Sequence, residues 1–363
     1  MLIRSHHYKR RCCKRRHRQR GVALITVLLV FALVAVIASE MLHRSQLNLR
    51  SVGNLVETRQ AYYYALGGEA FARQVLAKDI IDKHGEVDTL TEAWALTKEQ
   101  QPFEIENGTM QIEINDLQGR FNINSIIDAQ GRVIADALAQ FARLLNTLQL
   151  NPNYAYEWQD WIDRDQIRAP NGAEDADYEG YRTAGHAEAD ISALRLLHSM
   201  QPQDYAKLAP HVTVLPRDDS DSDSGNNSDS GDSSGNNDSN SGGNIGNNSN
   251  GSSDSGDGRT KININTADAE VLRSLSSPTL SESQVARIVA QQKVGGYTDV
   301  GAAGFDSQTA TVKSDFFEVI VTVNYANRWQ RLRTVVQRTN ESGAVKLKVI
   351  SRVRSPLIDD IEL

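Results

Sequence analysis

The stretch Gly21-Val22-Ala-Leu-Ile-Thr26-Val-Leu-Leu-Val-Phe-Ala-Leu-Val-Ala-Val-Ile-Ala38 decides the architecture of this chain. Every side chain from Val22 to Ala38 is apolar except that of Thr26. Extended to Leu42, the segment is about 20 residues long, which is enough for a helix to span a hydrocarbon core of roughly 30 Å. We therefore expect residues 22–42 to form a transmembrane helix.

The segment that precedes this helix, residues 1–21, carries nine Lys or Arg and no acidic residue. The positive-inside rule places such an end in the cytoplasm and the rest of the chain across the membrane. A basic leader that ends in Gly21, directly before an apolar helix from Val22, resembles the cleavage site of a type IV prepilin. Two alternatives stay open: a signal peptide cut near residues 35–39, which normally has a shorter apolar part, and an unprocessed anchor.

Removal of this leader changes the charge and the cysteine content of the chain. The chain has 39 basic and 46 acidic residues, so the loss of nine basic residues takes the net charge from -7 to about -16. Both cysteines, Cys12 and Cys13, leave with the leader. The remaining chain then contains neither a disulfide nor a thiolate metal site.

Beyond the membrane segment, apolar residues recur every three, four or seven positions, which predicts that the helix continues to about Asp82 and packs on a sheet. Gly67-Gly68 interrupts good helix formers and indicates close packing or a bend. Alternating residues around Asn107-Gly108 predict a β-hairpin over residues 101–116. The apolar stripe comprises Leu49, Val52, Val56, Tyr63, Leu66 and Ala70, and further strands are expected at Phe316–Tyr325, Trp329–Gln337 and Val345–Val353, with a turn at residues 340–343.

The intervening residues 125–312 have mainly helical periodicity, with one helix expected over residues 134–148 and another after a capping box at Ser281. The chain is therefore expected to be α+β: a pilin-like long N-terminal helix packed on an antiparallel sheet, with a large inserted, mainly helical domain. Residues 43–124 then hold the helix and the first strands, and residues 313–363 complete the sheet. Residues 218–258 are Asp, Ser, Gly and Asn with Ile245 as the one apolar residue, a composition typical of a disordered loop.

Four segments together resemble the K subunit of type II secretion systems, a minor pseudopilin. The resemblance implies an assembly protein without enzymatic activity, held in the inner membrane with most of its chain in the periplasm. It implies a place at the pseudopilus tip, a need for it in pseudopilus assembly and in export of folded proteins across the outer membrane, and processing by prepilin peptidase. Implied partners are the major pseudopilin and the I- and J-type minor pseudopilins, with no nucleic acid. The segments are GVALITVLLV (21–30), DLQGRFNINS (116–125), WQDWIDRDQIRAPNGAEDADY (158–178) and KININTADAEVLRSL (261–275).

Thr26 occupies the fifth position after the expected cleavage, where pilins usually carry a glutamate that pairs with the N-terminal amine. An ionisable group inside the membrane is costly without a partner, so a subunit without the glutamate suits the end of a filament. The K family shares this absence. The alternative is that Thr26 simply fills a helix position.

Six acidic residues follow one another closely in the expected helical domain and offer the hard oxygen ligands that Ca²⁺ prefers. The pattern is not an EF-hand, because Ile167 and Arg168 stand where a ligand and a glycine belong. The resemblance implies a structural calcium site here. The alternative is a solvated acidic loop paired with Arg164 and Arg168. The six residues are Asp160, Asp163, Asp165, Glu174, Asp175 and Asp177.

Two other function classes deserve comparison with the assembly protein. Residues 261–283 are similar to the entry of a helix-hairpin-helix module, so a membrane-tethered DNA-binding or competence-type pseudopilin is the alternative. The connection 276–283 lacks the module's glycines, and a strongly acidic chain is a poor ligand for phosphate. The histidines are scattered and no catalytic motif is present, which argues against an enzyme, although paired carboxylates near Asp160 leave a hydrolase formally open.

Overall fold

The computed structural model describes residues 20–83, 87–216, 254–255, 259–341 and 344–355. The chain divides into two compact units, residues 1–59 and residues 60–363. The leader up to Gln19 lies outside the described residues, as do Ser342 and Gly343 of the expected turn. Of the expected loop 218–258, the described residues are Asp254 and Ser255, which form a short strand.

The described residues contain six α-helices and eleven strands. The helices are α1 (Arg20–Lys83), α2 (Ala135–Thr147), α3 (Asn153–Ile162), α4 (Pro202–Leu208), α5 (Ala269–Leu275) and α6 (Glu282–Gln292). The first strands are β1 (Phe103–Ile105), β2 (Gly108–Asp116), β3 (Phe121–Asn122), β4 (Val212–Thr213), β5 (Asp254–Ser255) and β6 (Arg259–Thr260). The remaining strands are β7 (Ile262–Asn263), β8 (Ala310–Thr311), β9 (Phe316–Tyr325), β10 (Arg328–Glu341) and β11 (Ala344–Ser355).

The first unit consists, in its described part, of α1 from Arg20 to Arg59. Its apolar segment is helical throughout and its large side chains are at least half exposed, with Phe31 70% and Ile37 52% exposed. Mean hydropathy reaches 3.0 in an 18-residue window of α1, so this one helix of the described chain has the length and composition to cross a membrane. The expected helical segment is confirmed, and α1 ends at Lys83, one residue past the expected Asp82.

The second unit is built on a five-stranded antiparallel sheet in the order β1-β2-β9-β10-β11. The predicted hairpin is confirmed: Ile105 pairs with Gly108, and Asn107 between them has the left-handed φ of 58° that a tight turn requires. The three C-terminal strands also form as expected. The sheet therefore combines one hairpin from before the insert with three strands from after it.

The face of α1 that packs on this sheet agrees with the predicted stripe only in part. Ala61, Ala65, Ala72 and Leu76 are fully buried against sheet residues such as Val321. Of the predicted stripe, Leu66 is half-buried against this core, whereas Tyr63 is exposed. Small side chains let the helix backbone approach the strands closely, and this close approach excludes bulky residues. The exposed members are Leu49 (70%), Val52 (59%), Val56 (59%) and Tyr63 (64%).

Gly68 lies where α1 packs tightly on the sheet. A Cβ atom added there would lie 2.7 Å from Val321 Cγ1 and 3.0 Å from Met110 Sδ, distances too short for carbon and sulfur. A Cβ atom at Gly67 would meet nothing within 4 Å. The prediction of close packing is thus confirmed for Gly68, while Gly67 faces open space.

The helical insert lies between β2 and β9 and has two halves with the same opening pattern. Residues 122–125 read Asn-Ile-Asn-Ser and residues 263–266 read Asn-Ile-Asn-Thr. In each half a short strand before this motif pairs in parallel with a strand near the end of that half: β3 with β4, and β7 with β8. β3 pairs with β4 inside the insert. The insert therefore starts after Asp116, the last residue of β2, which is before the expected Ser125. One buried core runs through both halves.

A buried polar network joins the insert to the sheet. The Asp116 carboxylate accepts hydrogen bonds from Ser314 Oγ (2.5 Å), Thr266 Oγ1 (2.6 Å) and Asn263 Nδ2 (3.1 Å). Nearby, Arg338 pairs with Asp88 and with Asp79 at the end of α1, at 3.0 Å for the latter. Burial raises the pKa of Asp88 to about 7, although the Arg338 guanidinium opposes the rise. These bonds connect α1, the sheet and both ends of the second half of the insert.

Candidate metal centre

Four of the six acidic residues surround one loop after α3. Asp160 lies in the last turn of α3, and Asp163 follows that helix directly. Trp158 and Trp161 hold this helix in the core: Trp158 Nε1 donates to Ile123 O (2.9 Å), and Trp161 Nε1 donates to the Glu188 carboxylate (2.8 Å). Both tryptophans are therefore buried anchors of the helical insert.

Three carboxylates converge in this loop. One oxygen from each of Asp163, Asp165 and Glu174 lies within 4.8 Å of the others. Asp163 is 4% and Glu174 5% exposed, whereas Asp165 is exposed. Asp163 Oδ1 and both carboxylate oxygens of Glu174 are enclosed and have no hydrogen-bond partner among the described residues. Enclosed acceptors without donors are destabilising by about 1–3 kcal/mol each, so these oxygens are open to a cation or a proton.

Asp160 is the buried neighbour of these three carboxylates. Its side chain is fully buried, and its two oxygens accept hydrogen bonds from the Ala169 backbone N–H at 3.2 and 3.0 Å. A Cβ atom at Gly172 would lie 1.9 Å from Asp160 Oδ2, so only glycine leaves room for the carboxylate. The Pro-Asn-Gly turn therefore brings the loop back across Asp160.

Burial and mutual repulsion raise the pKa values of the carboxyl groups in this cluster. Burial, followed by the neighbouring carboxylates, raises the pKa of Glu174 to about 7. Burial also raises the pKa of Asp160 and the pKa of Asp163 to about 6 each, with Asp165 adding to both. Like charges this close favour the protonated forms. A divalent cation among them would remove that repulsion.

The last two predicted residues are engaged elsewhere. Asp175 Oδ1 accepts bonds from the backbone N–H and the hydroxyl of Thr183, each at 2.9 Å. Asp177 Oδ1 bonds Arg168 Nη1 at 3.1 Å, and its Oδ2 accepts the Glu174 backbone N–H at 3.0 Å. The arginine pairing considered for the acidic loop thus occurs at Asp177, outside the three converging carboxylates.

The donor set fits Ca²⁺. Ca²⁺ takes six to eight oxygen ligands, often from carboxylates, backbone carbonyls and water. Asp163, Asp165 and Glu174 supply three carboxylates, which leaves positions for water and backbone oxygens. Neither a thiolate nor an imidazole belongs to this cluster, so softer metals have less reason to bind here.

The predicted processing and assembly residues lie in α1, which begins at Arg20, so Gly21 and Val22 are both helical. Thr26 Oγ1 donates to the Ala23 carbonyl at 2.9 Å. A hydroxyl satisfied within its own helix can lie in lipid at little cost, and α1 carries no acidic residue from Val22 to Ser39.

Sequence reasoning missed the four buried asparagines of the repeated motif. Asn122 Oδ1 accepts from the Asn124 N–H at 3.1 Å, and Asn263 Oδ1 accepts from the Asn265 N–H at 2.9 Å. Their amide groups then reach distant backbone, as Asn124 does at Glu188 O (2.8 Å). The signal was present in the repeated Asn-Ile-Asn-Ser/Thr spelling, which indicates two equivalent turns.

Comparison with family models gives two matches over the insert. Residues 119–217 match the first domain, and residues 262–323 the second, of the family described as type II secretion system (T2SS), protein K. The first range lies in the first half of the insert and the second range covers the second half and most of β9, each with its Asn-Ile-Asn motif.

Individual relatives agree with the family models. The type II secretion system protein K of Pseudomonas aeruginosa is 40% identical over 218 residues, which cover 56% of this chain and 64% of that protein. The protein K of Klebsiella pneumoniae is 35% identical over 55% of this chain and 64% of the relative. The matched region thus spans slightly less than two thirds of these relatives. A chain of the crystal structure of the GspK-GspI-GspJ complex from enterotoxigenic Escherichia coli has a TM-score of 0.59 at 19% identity, covering 83% of this chain and 97% of that chain, and this likeness shows the fold.

Proposed function

Because residues 119–217 and 262–323 are similar to the type II secretion system protein K family, we propose that this chain is a minor pseudopilin of that system, without enzymatic activity. The observation that carries the proposal is the continuity of α1. One helix begins with an apolar membrane-length segment and ends as the helix that packs on the antiparallel sheet. Such a helix anchors the subunit in the inner membrane while the sheet and insert lie in the periplasm.

Prepilin peptidase then cleaves between Gly21 and Val22, which makes Val22 the N-terminal residue of the mature protein. The cut removes a leader with nine basic residues, which would otherwise hold the start of the helix at the cytoplasmic surface. Mass spectrometry of the protein from its own membranes should find Val22 as the first residue. A chain that starts at Met1, or beyond Ser39, would refute pilin-type processing.

The subunit acts at the pseudopilus tip, beside I- and J-type minor pseudopilins and above the major pseudopilin, where it supports filament assembly and the export of folded proteins. Two features support this place: Thr26 stands where shaft subunits carry an acid, and a domain of about 200 residues is inserted between β2 and β9. Co-purification of the tagged full chain with the I- and J-type subunits tests it. Recovery of the chain alone from cells that produce all three would count against the tip position.

The loop of Asp163, Asp165 and Glu174 holds a structural calcium ion, with Asp160 behind it. The ion supplies positive charge to buried carboxylates, which fixes the loop between α3 and the short helix at residues 175–177. Calorimetric titration of the full chain in non-ionic detergent should give heat with Ca²⁺ and raise the unfolding temperature. Asp163→Asn should lose both effects, and Asp177→Asn, whose oxygens are engaged elsewhere, should retain the heat of binding. No heat and no stabilisation of the unmodified chain would exclude the site.

A further inference from the structure

Two arginines of the insert line one cavity, and neither forms an ion pair with a described residue. A cavity of about 480 Å³ lies between α2, α5 and the connection to α6, and Arg143, Arg273, Thr147, Thr279 and Glu282 are among its lining residues. Within the described residues neither Arg143 nor Arg273 forms an ion pair, and Arg273 Nε is enclosed with no hydrogen-bond partner. Two guanidinium groups at one cavity, neither of them in an ion pair, leave N–H donors for an anion.

Arg143 is held firmly in this position. Its Nε donates to the Ser274 carbonyl at 2.9 Å, close to the end of α5. Burial lowers the pKa of Arg143, and the carboxylate of Asp136 opposes the shift only in part. The guanidinium therefore lost water without gaining a full counter-charge. An arginine fixed by one hydrogen bond still has further N–H groups with which to bind an oxyanion.

We propose that this cavity binds a small oxyanion, a phosphate or carboxylate group, through Arg143 and Arg273. Guanidinium groups bind both anions with paired N–H donors. The cavity volume falls in the range of small-molecule sites, roughly 300–1,000 Å³. A small ligand is favoured over duplex DNA, because the α5–α6 connection at residues 276–281 contains no glycine and the chain carries a net charge of -7.

Glu282 allows a test of whether the ligand of this cavity is an anion or a cation. It lines the same cavity from the first turn of α6 and pairs with neither arginine in the described chain. Its negative charge opposes an incoming anion, so Glu282→Gln should strengthen binding. A site that recognised a cation would respond in the opposite direction.

The experiment is calorimetric titration of the full chain in non-ionic detergent, at low ionic strength and without calcium. Inorganic phosphate and citrate serve as the two probes, because they distinguish a phosphate from a carboxylate site. At least one should bind at a single site, and Arg273→Gln and Arg143→Gln should each weaken it about tenfold or more, the usual effect of a lost charge-assisted hydrogen bond. Arg287→Gln, on the exposed side of α6, is the matched control and should leave affinity unchanged.

Arg273→Gln is the decisive variant, because no hydrogen bond of the fold depends on Arg273 Nε. Absence of heat with both anions at millimolar concentration would overturn the proposal. So would an equal loss in Arg287→Gln, which would indicate diffuse surface charge. Tight binding of a DNA duplex, weakened equally by Arg287→Gln, would also overturn it. None of these outcomes depends on membrane processing or calcium, so the proposed pseudopilin function stands or falls separately.

Discussion

Adjacent glycines in α1 allow a stringent test of how the helix packs on the sheet. An alanine at either Gly67 or Gly68 gains up to about 1 kcal/mol of helix stability over glycine. At Gly68 the new Cβ would lie 2.7 Å from Val321 Cγ1 and 3.0 Å from Met110 Sδ. Overpacking of this kind costs about 1–3 kcal/mol. Gly68→Ala should therefore be less stable than Gly67→Ala by about 1–3 kcal/mol, since the helix contribution cancels between the two variants.

The assay is urea unfolding of the full chain in non-ionic detergent, followed by tryptophan fluorescence. Trp94 is 1% exposed and packs edge-on against Phe317 in the same core, at 5.2 Å between ring centroids, so it reports directly on the helix–sheet contact. The urea dependence of the unfolding free energy should be the same in all variants, so that midpoints can be compared. Gly67→Ala should be at least as stable as the unmodified chain.

A second substitution separates steric conflict from other causes. Val321→Ala removes the methyl groups that the new Cβ would meet, at the cost of a cavity in the unmodified background. In the Gly68→Ala background the same change should cost less, and the difference measures the contact. If both glycine variants changed stability equally, or if Gly68→Ala were the more stable one, the close approach of helix and sheet described above would be refuted.

Three further predictions concern the insert. Gly172→Ala should weaken Ca²⁺ binding in calorimetry, because its Cβ would lie 1.9 Å from Asp160 Oδ2 and displace that carboxylate; unchanged affinity would show that Asp160 does not support the site. Glu174→Gln should raise the unfolding temperature in calcium-free buffer at pH 8, because it removes a buried negative charge next to Asp160 and Asp163, and should abolish stabilisation by calcium; a fall in the calcium-free unfolding temperature would contradict this electrostatic reasoning. His211 Nδ1 lies 2.6 Å from Asp268 Oδ2, and this hydrogen bond raises the pKa of His211 above its ordinary value of 6.5. The pair therefore stabilises the fold fully below pH 6.5, and this contribution is lost as the pH rises through the raised pKa. His211→Gln should therefore be less stable than the unmodified chain at pH 6 and approach it at pH 9, and an equal difference at both pH values would assign the effect to packing.

Features that depend on neighbouring residues were predictable from the sequence. The hairpin at Asn107-Gly108, the capping box of Ser281 and the limits of β9 each follow from residues within a few positions of one another. The capping box closes through the Ser281 N–H, which donates to Gln284 Oε1 at 2.9 Å. Such interactions are local, so the amino-acid sequence of a short segment is sufficient to predict them.

The cluster of acidic residues shows that the spacing of carboxylates along the sequence does not identify which of them converge. Six acidic residues within 18 positions all qualified as ligands by sequence. Asp177 nevertheless uses both oxygens on Arg168 and the Glu174 backbone, whereas Asp163 and Glu174 keep enclosed oxygens without partners. Which oxygens are already engaged depends on the path of the whole loop, and this path is not encoded in any one spacing.

The amino-acid sequence alone determined the membrane-length helix, the positions of the sheet strands and the family that the insert resembles, because these depend on hydrophobic length, local periodicity and short motifs. The tertiary structure decided which face of α1 is buried and which carboxylates converge. Helical spacing selected the large residues Tyr63 and Leu66, but Tyr63 is exposed and the sheet packs against Ala61, Ala65 and Gly68. Close packing selects the side chains that let two backbones approach, and that selection depends on the shape of the partner surface, which lies far away along the chain.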